Sequence, residues 1–167
     1  MEGVSVRRLQ QGDDVAEFSC DVPELEAYLR EYAREGEAGR YSSTFVAIKD
    51  EKVVGFATVT ADMLFRGRVN TDGFAPHQSL PIMLLTHIAV ETRLQKQGIG
   101  SELMATVLQQ VPHMAEMPGC LGLFLDSRQQ SMVFYEKLGF VPMEPKDAEY
   151  RPMFMERGAI EGLLEAP

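Results

Sequence analysis

The run Val90-Glu91-Thr92-Arg93-Leu94-Gln95-Lys96-Gln97-Gly98-Ile99-Gly100-Ser101 holds the residues of this chain best suited to chemistry. Gly98 and Gly100 leave the backbone bare, so a ligand can approach the main chain with no side chain in the way. A helix starting there exposes N–H groups that have no carbonyl one turn back, and such an end attracts anions. A pyrophosphate suits it, with Arg93 and Lys96 adding positive charge. Two nucleotide loops are excluded. No G-x-x-x-x-G-K-[ST] occurs, and the G-x-G lacks the third spaced glycine of a dinucleotide fingerprint. The nucleotide-hydrolase class loses its support with them.

Such a loop must be delivered by a strand and carried off by a helix. Ile82 to Val90 is almost continuously apolar and predicts a buried central strand. Ile99, Leu103, Val107 and Val111 make one face of a helix from Ile99 to Val111, stopped by Pro112. A second buried strand, Leu121 to Leu125, and a helix from Gln129 to Leu138 capped by Gly139 come next. Upstream, Leu25, Tyr28, Leu29 and Tyr32 mark one face of an earlier helix, with Asp21 as N-cap, Pro23 in the first turn and Gly36 and Gly39 ending it. Ser43 to Ile48 and Val53 to Thr60 read as a hairpin around a charged turn. Ala61 to Leu80 is a long connection of the kind that carries function. Phe140 to Met143 and Tyr150 to Met155 suggest two short strands, with Pro142 and Pro152 at edge or irregular positions. The expected fold class is mixed α/β around one twisted sheet.

With 167 residues, 45% hydrophobic and 25% charged, the chain suits one compact domain. A chain of this size buries roughly 70% of its unfolded surface, so it needs neither disulfides nor a structural metal. Cys20 and Cys120 lie far apart, and with three histidines they build no zinc site. No apolar run reaches the roughly 18 residues of a spanning helix, and the first residues lack the order of a signal peptide. A cytoplasmic location is expected. The net charge of −9 argues against a broad phosphate-binding surface. Nine acids against Arg30 and Arg34 fall between Asp13 and Glu37, a solvated helix face or a surface for a cationic partner.

The segment Gln95-x-x-Gly98-x-Gly100 after its strand, followed by Phe134-Tyr135-Glu136-Lys137-Leu138-Gly139-Phe140, resembles the GNAT acetyltransferases from Val4 to Met155. The resemblance implies a GNAT-type fold with about 6–7 strands, a central splayed strand pair and about four helices. It sets residues 1–156 as the domain and 157–167 as a C-terminal tail. It further implies acetyl-CoA as cosubstrate and no metal. Gln95, Lys96, Gln97, Gly98, Ile99, Gly100 and Ser101 would hold its pyrophosphate, and Ile88, Ala89 and Val90 its pantetheine. Tyr135 becomes the candidate general acid on the CoA thiolate. A phenol, of pKa about 10, is a sensible proton source for a leaving sulfur, although an aromatic pair on such a helix also suits simple packing. The base that takes the amine proton stays open among His87, Glu91 and water. Many members carry Asn seven residues before the tyrosine, where this chain has Arg128; Ser131 keeps the small residue four before it.

Three segments, Phe18 to Leu25, Ser43 to Ala47 and Leu80 to Leu85, resemble the GNAT toxins that acetylate aminoacyl-tRNA. The acidity of the chain weighs against a tRNA surface, with Arg66, Arg68, Arg93, Lys96 and Lys137 left to form a local track. A small-molecule, peptide or protein amine is therefore the first expectation for the acceptor, and charged tRNA the alternative. A non-catalytic acyl-CoA-binding sensor is the alternative of another class. Strand edges near the C-terminus leave a homodimer open.

Overall fold

A computed structural model of the chain describes residues 3–64, 79–116, 119–144 and 149–166. Seven strands form one mixed sheet in the order β1-β2-β3-β4-β5-β7-β6. They are β1 (Val4–Arg8), β2 (Ser43–Lys49), β3 (Lys52–Leu64), β4 (Leu80–Val90), β5 (Gly122–Arg128), β6 (Val141–Pro142) and β7 (Tyr150–Glu156). Among the described residues the α-helices fall into four runs. The first is α1 (Pro23–Ala27), a π-helical turn (Tyr28–Tyr32) and α2 (Ala33–Gly39); the second is α3 (Ile99–Leu108) and α4 (Gln110–Glu116). The third is α5 (Met132–Leu138), entered through a 3-10 turn, and the fourth is α6 (Arg157–Glu165). This is the expected α/β fold.

Contacts divide the chain into two compact units, Met1–Thr60 with Leu85–Leu108, and Ala61–Leu84 with Gln109–Pro167. In the first, β1, β2 and the first part of β3 pair antiparallel. Asp50 and Glu51, with φ of 49° and 63°, form the two-residue hairpin turn whose twist matches the strands. Phe18, Leu29, Val46 and Phe56 centre its core, with Phe18 edge-on to Phe56 at 5.6 Å. In the second unit, Leu64, Ile82, Phe124 and Phe154 pack together. There β4 runs parallel to β5 at Met83↔Leu123 and Leu84↔Phe124, and β5 pairs antiparallel with β7.

Several details differ from expectation, each for a physical reason. Val22, not Asp21, is the N-cap, and Asp21 takes the left-handed φ of 59° that turns the chain into the helix. The helix does not end at Gly36, which is buried within it; it ends after Gly39, where Arg40 turns left-handed at φ 58°. The π turn pushes Tyr32 off the apolar face, leaving it 55% exposed while Leu29 is buried. Pro112 does not stop the helical run. It stands third in α4, within the first turn, where its missing N–H has no helical partner to lose. Pro152 lies on an interior strand, since β7 sits between β5 and β6. Its carbonyl accepts from the Met143 N–H at 2.8 Å, so its nitrogen also faces the β6 side and no bond to β5 is lost. Strand β1 adds to the expected elements, because five residues with only Val4 and Val6 apolar give almost no alternation signal. The stretch expected as a tail holds α6, anchored by the fully buried Ile160 against α4, β5 and β7. The long connection is shorter than expected, for β3 continues to Leu64 and β4 starts at Leu80. Residues 65–78, with Arg66 and Arg68, lie outside the described residues.

Candidate active site

Strand β4 delivers the site. Its first half is buried at Ile82, Met83 and Leu85, but Thr86 is exposed and His87, Ile88 and Val90 are half-buried, with Ala89 alone buried. The strand is thus not buried throughout. Its last residues keep surface available, as a strand that pairs with a ligand must. At its end the Glu91 N–H donates to the Val54 carbonyl at 2.9 Å and the Thr92 N–H to the Ser19 carbonyl at 3.1 Å. Those two bonds fix where the loop leaves the sheet.

A single 3-10 turn, Thr92–Leu94, leads into the loop. Lys96 and Gly98 then take left-handed φ values of 59° and 88°. The first bond of α3 runs from the Glu102 N–H to the Gly98 carbonyl at 3.1 Å. The amides of Ile99, Gly100 and Ser101 therefore precede the helix ladder and have no carbonyl one turn back. Alternating backbone handedness beside a helix start makes a concave anion seat. Gln95 to Gly98 and Ser101 are exposed, Gly100 is half-buried and Ile99 is buried beneath them. The chemistry of this donor set fits a pyrophosphate.

Side chains brace the loop. The Gln95 Nε2 donates to the Val90 carbonyl at 3.2 Å, and the Gln97 Nε2 to the Arg93 carbonyl at 3.1 Å. Gln95 thus ties the loop back to the strand. Arg93 is 88% exposed and sits 3.6 Å from Glu91. A depression of about 510 Å³ beside the loop is lined by Asp14, Glu17, Phe18, Lys52, Val53, Glu91, Arg93 and Leu94. It includes none of Gln95 to Ser101, so it is a neighbour of the anion seat and not the seat itself.

Among the base candidates, His87 is more elaborately held than its place in an apolar strand suggests. Its ring stacks on Tyr28 at 3.6 Å between centroids, 12° from parallel, and its Nδ1 lies 2.9 Å from the Thr86 hydroxyl oxygen. Burial lowers its pKa from the ordinary 6.5. The sequence marks Tyr28 only as a core-facing helix residue and gives Thr86 no role. The one signal for Thr86 is a lone hydroxyl in an apolar strand.

Tyr135 stands in the second unit, on α5. Phe134 and Phe140 meet its ring edge-on at 5.1 and 5.7 Å, and burial pushes its phenol up to about 12. Gly139 at φ 101° closes the helix, with the Phe140 N–H donating to the Tyr135 carbonyl at 3.1 Å. Arg128, at the end of β5, is exposed, and Ser131 ends the turn that leads into α5. Among the described residues no helix is long and apolar enough to cross a membrane, and no three acidic, histidine or cysteine side chains gather as metal ligands.

Gly55 carries no signal in the sequence, yet it matters to the site. A β-carbon there would stand 3.3 Å from Ile99 Cγ2 and 3.2 Å from Leu103 Cδ1, so its bareness lets α3 settle onto β3.

Residues 40–142 match the family model of the acetyltransferase (GNAT) domain. A tRNA-acetylating toxin of Mycobacterium tuberculosis (strain ATCC 25618 / H37Rv) is 28% identical over 162 residues, 93% of this chain and 95% of that protein. The fold is that of a point mutant of KacT, with TM-score 0.86 and 22% identity over 97% of this chain and 99% of that one. It is likewise that of AtaT complexed with acetyl-methionyl-tRNAfMet, with TM-score 0.84 and 21% identity over 96% and 99%. A third likeness is AtaTR bound with AcCoA, at TM-score 0.83 and 22% identity over 98% and 99%.

Proposed function

Because this chain belongs to the GNAT acetyltransferase family, we propose that it moves an acetyl group from acetyl-CoA to a primary amine, and that this amine is the free amino group of an aminoacyl-tRNA. The observation that carries the transfer is the anion seat at Gly98–Ser101, joined to the half-exposed end of β4 by a single 3-10 turn and a short loop. The acceptor is favoured by the relative that spans 93% of the chain, a tRNA-acetylating toxin.

Acetyl-CoA supplies the acetyl group as an activated thioester. The amides of Ile99, Gly100 and Ser101 hold its pyrophosphate, and Gln95, Lys96 and Gln97 shape the seat. The backbone of Ile88, Ala89 and Val90 holds its pantetheine. The family resemblance makes Tyr135 the proton donor for the leaving sulfur. Burial holds the phenol up to about 12, so it stays protonated near neutral pH and is a weaker donor to the sulfur than a free phenol, giving its proton as negative charge builds there. The amine must arrive or become neutral before it can attack.

The overall charge of −9 forces any tRNA contact onto local cations. Binding then shows a shallow salt slope, because few phosphates are neutralised. Labelled acetyl-CoA offered with charged tRNA, a peptide panel and small amines tests the proposal. Label on the charged tRNA is expected. Label only on peptides or small amines would move the acceptor to those, and label on none would remove the transferase reading.

A further inference from the structure

We infer that His87 is the base that takes the proton from the acceptor amine, through Nε2, and that Thr86 and Tyr28 are the residues that set it up. This rests on the proposed acetyl transfer. The decisive observation is a chain of two hydrogen bonds. Thr86 Oγ1 lies 3.1 Å from the Thr58 carbonyl oxygen and donates its only proton there. Its 2.9 Å contact with His87 Nδ1 therefore leaves the hydroxyl as acceptor and Nδ1–H as donor. The neutral ring is thus locked as the Nδ1–H tautomer, with a lone pair on Nε2.

Two further features fit a working base. The Tyr28 ring covers one face of the imidazole at 3.6 Å and fixes its plane. Tyr28 begins the π-helical turn, an irregularity that recurs at functional sites. Tyr28 is the titratable group facing His87 from the helix, and no charged side chain is among the causes of its lowered pKa; burial alone acts. The imidazole is therefore neutral at pH 7. His87 also directly precedes Ile88 to Val90, the backbone assigned to the cofactor.

The proton balance is simple. The amine nitrogen forms its bond to the acetyl carbon, the carbon–sulfur bond breaks with its electron pair on sulfur, and the proton shed by nitrogen goes to Nε2. Sulfur is protonated by Tyr135 or water, and the imidazolium returns its proton to solvent.

Two measurements on the full chain test the inference. In 15N-histidine NMR without ligand, assigned with a His87→Asn variant, the expected spectrum has His87 with Nδ1 protonated, Nε2 bare and a midpoint below 6.5. A bare Nδ1, or a ring charged at pH 7, overturns the inference whatever the activity. Single-turnover acetylation of charged tRNA across pH 5 to 9 is the second. For wild type, log rate should climb with slope 2 below the His87 midpoint and slope 1 from there to the amine pKa. His87→Gln should run about 100-fold slower, show slope 1 throughout and bind acetyl-CoA unchanged. Thr86→Val should keep the fold, shift the NMR tautomer and slow turnover. Wild-type transfer with His87→Gln unimpaired overturns this inference alone. Absence of wild-type transfer overturns the proposed function and this inference with it.

Discussion

A β-carbon on Gly55 would stand 3.2 Å from the carbonyl oxygen of Ala89, so near its start β3 approaches the end of β4 more tightly than a side chain ordinarily sits. Gly55→Ala must displace that backbone atom or the methyl groups of Ile99 and Leu103, at a cost of roughly 1–3 kcal/mol for an overpacked site. Because the displaced atoms belong to the strand end and the start of α3, acetyl-CoA affinity should fall several-fold as well. Thermal melts and calorimetry on the variant read both; a drop in stability with unchanged affinity would separate Gly55 from the site.

Gly100→Trp tests the anion seat itself. The position is half-buried between the buried Ile99 and the exposed Ser101, and an indole there takes away the bare backbone that the seat depends on. Micromolar acetyl-CoA binding by the wild type should be lost in the variant, with the melting temperature nearly unchanged. Retained binding would move the pyrophosphate elsewhere.

Tyr135→Phe separates chemistry from packing, because the ring and its edge-on contacts with Phe134 and Phe140 remain. Turnover should drop about 100-fold with acetyl-CoA affinity intact. Stability carries a second signature. A phenol pushed up to about 12 in the folded chain, against about 10 unfolded, contributes fully below pH 10 and loses that contribution as pH rises toward 12. Between pH 9 and pH 11.5 wild type should therefore lose about 2 kcal/mol that Tyr135→Phe does not lose. Denaturant titrations at pH 9 and pH 11.5 make the comparison.

Much of this site is legible in the sequence because it is local. Gly98, Gly100 and the α3 face of Ile99, Leu103 and Val107 are neighbours along the chain, and local backbone chemistry sets their conformation, whereas the expected helix to Val111 breaks after Leu108 and Val111 falls in α4. The features that the sequence hides depend on contacts distant along the chain. Gly55 is small because of Ala89 and Ile99, Tyr28 matters because of His87, and Pro152 fits because β6 is only two residues long. The π turn is hidden for another reason: the spacing of Leu25, Tyr28, Leu29 and Tyr32 obeys the α period, while its hydrogen bonding does not.

Asp13 offers a stability test away from the site. Arg7 grips its carboxylate with two bonds of 2.6 and 2.8 Å, the Gln10 N–H adds a third, and Arg34 bonds its backbone carbonyl. The Arg7 guanidinium holds the Asp13 pKa below its ordinary 3.8. A carboxylate so lowered stabilises the fold above its unfolded pKa and ceases to do so as pH falls through its folded one. Asp13→Asn should cost about 1 kcal/mol at pH 7, since Arg7 is partly exposed, and the gap between variant and wild type should close toward pH 2. Urea titrations at the two pH values would show a constant gap if the ion pair contributed nothing.

The π turn also counts residues. The Ala33 N–H reaches back five positions to the Tyr28 carbonyl, so the helix carries one residue more than an α ladder over the same rise. Removing any one residue from 28–32 restores the ordinary ladder, but it swings everything before the cut by about 100° around the axis relative to α2. Length, more than identity, then decides whether an aromatic ring arrives over His87. A variant of this chain with Arg30 deleted should keep its helix and lose the stack on His87.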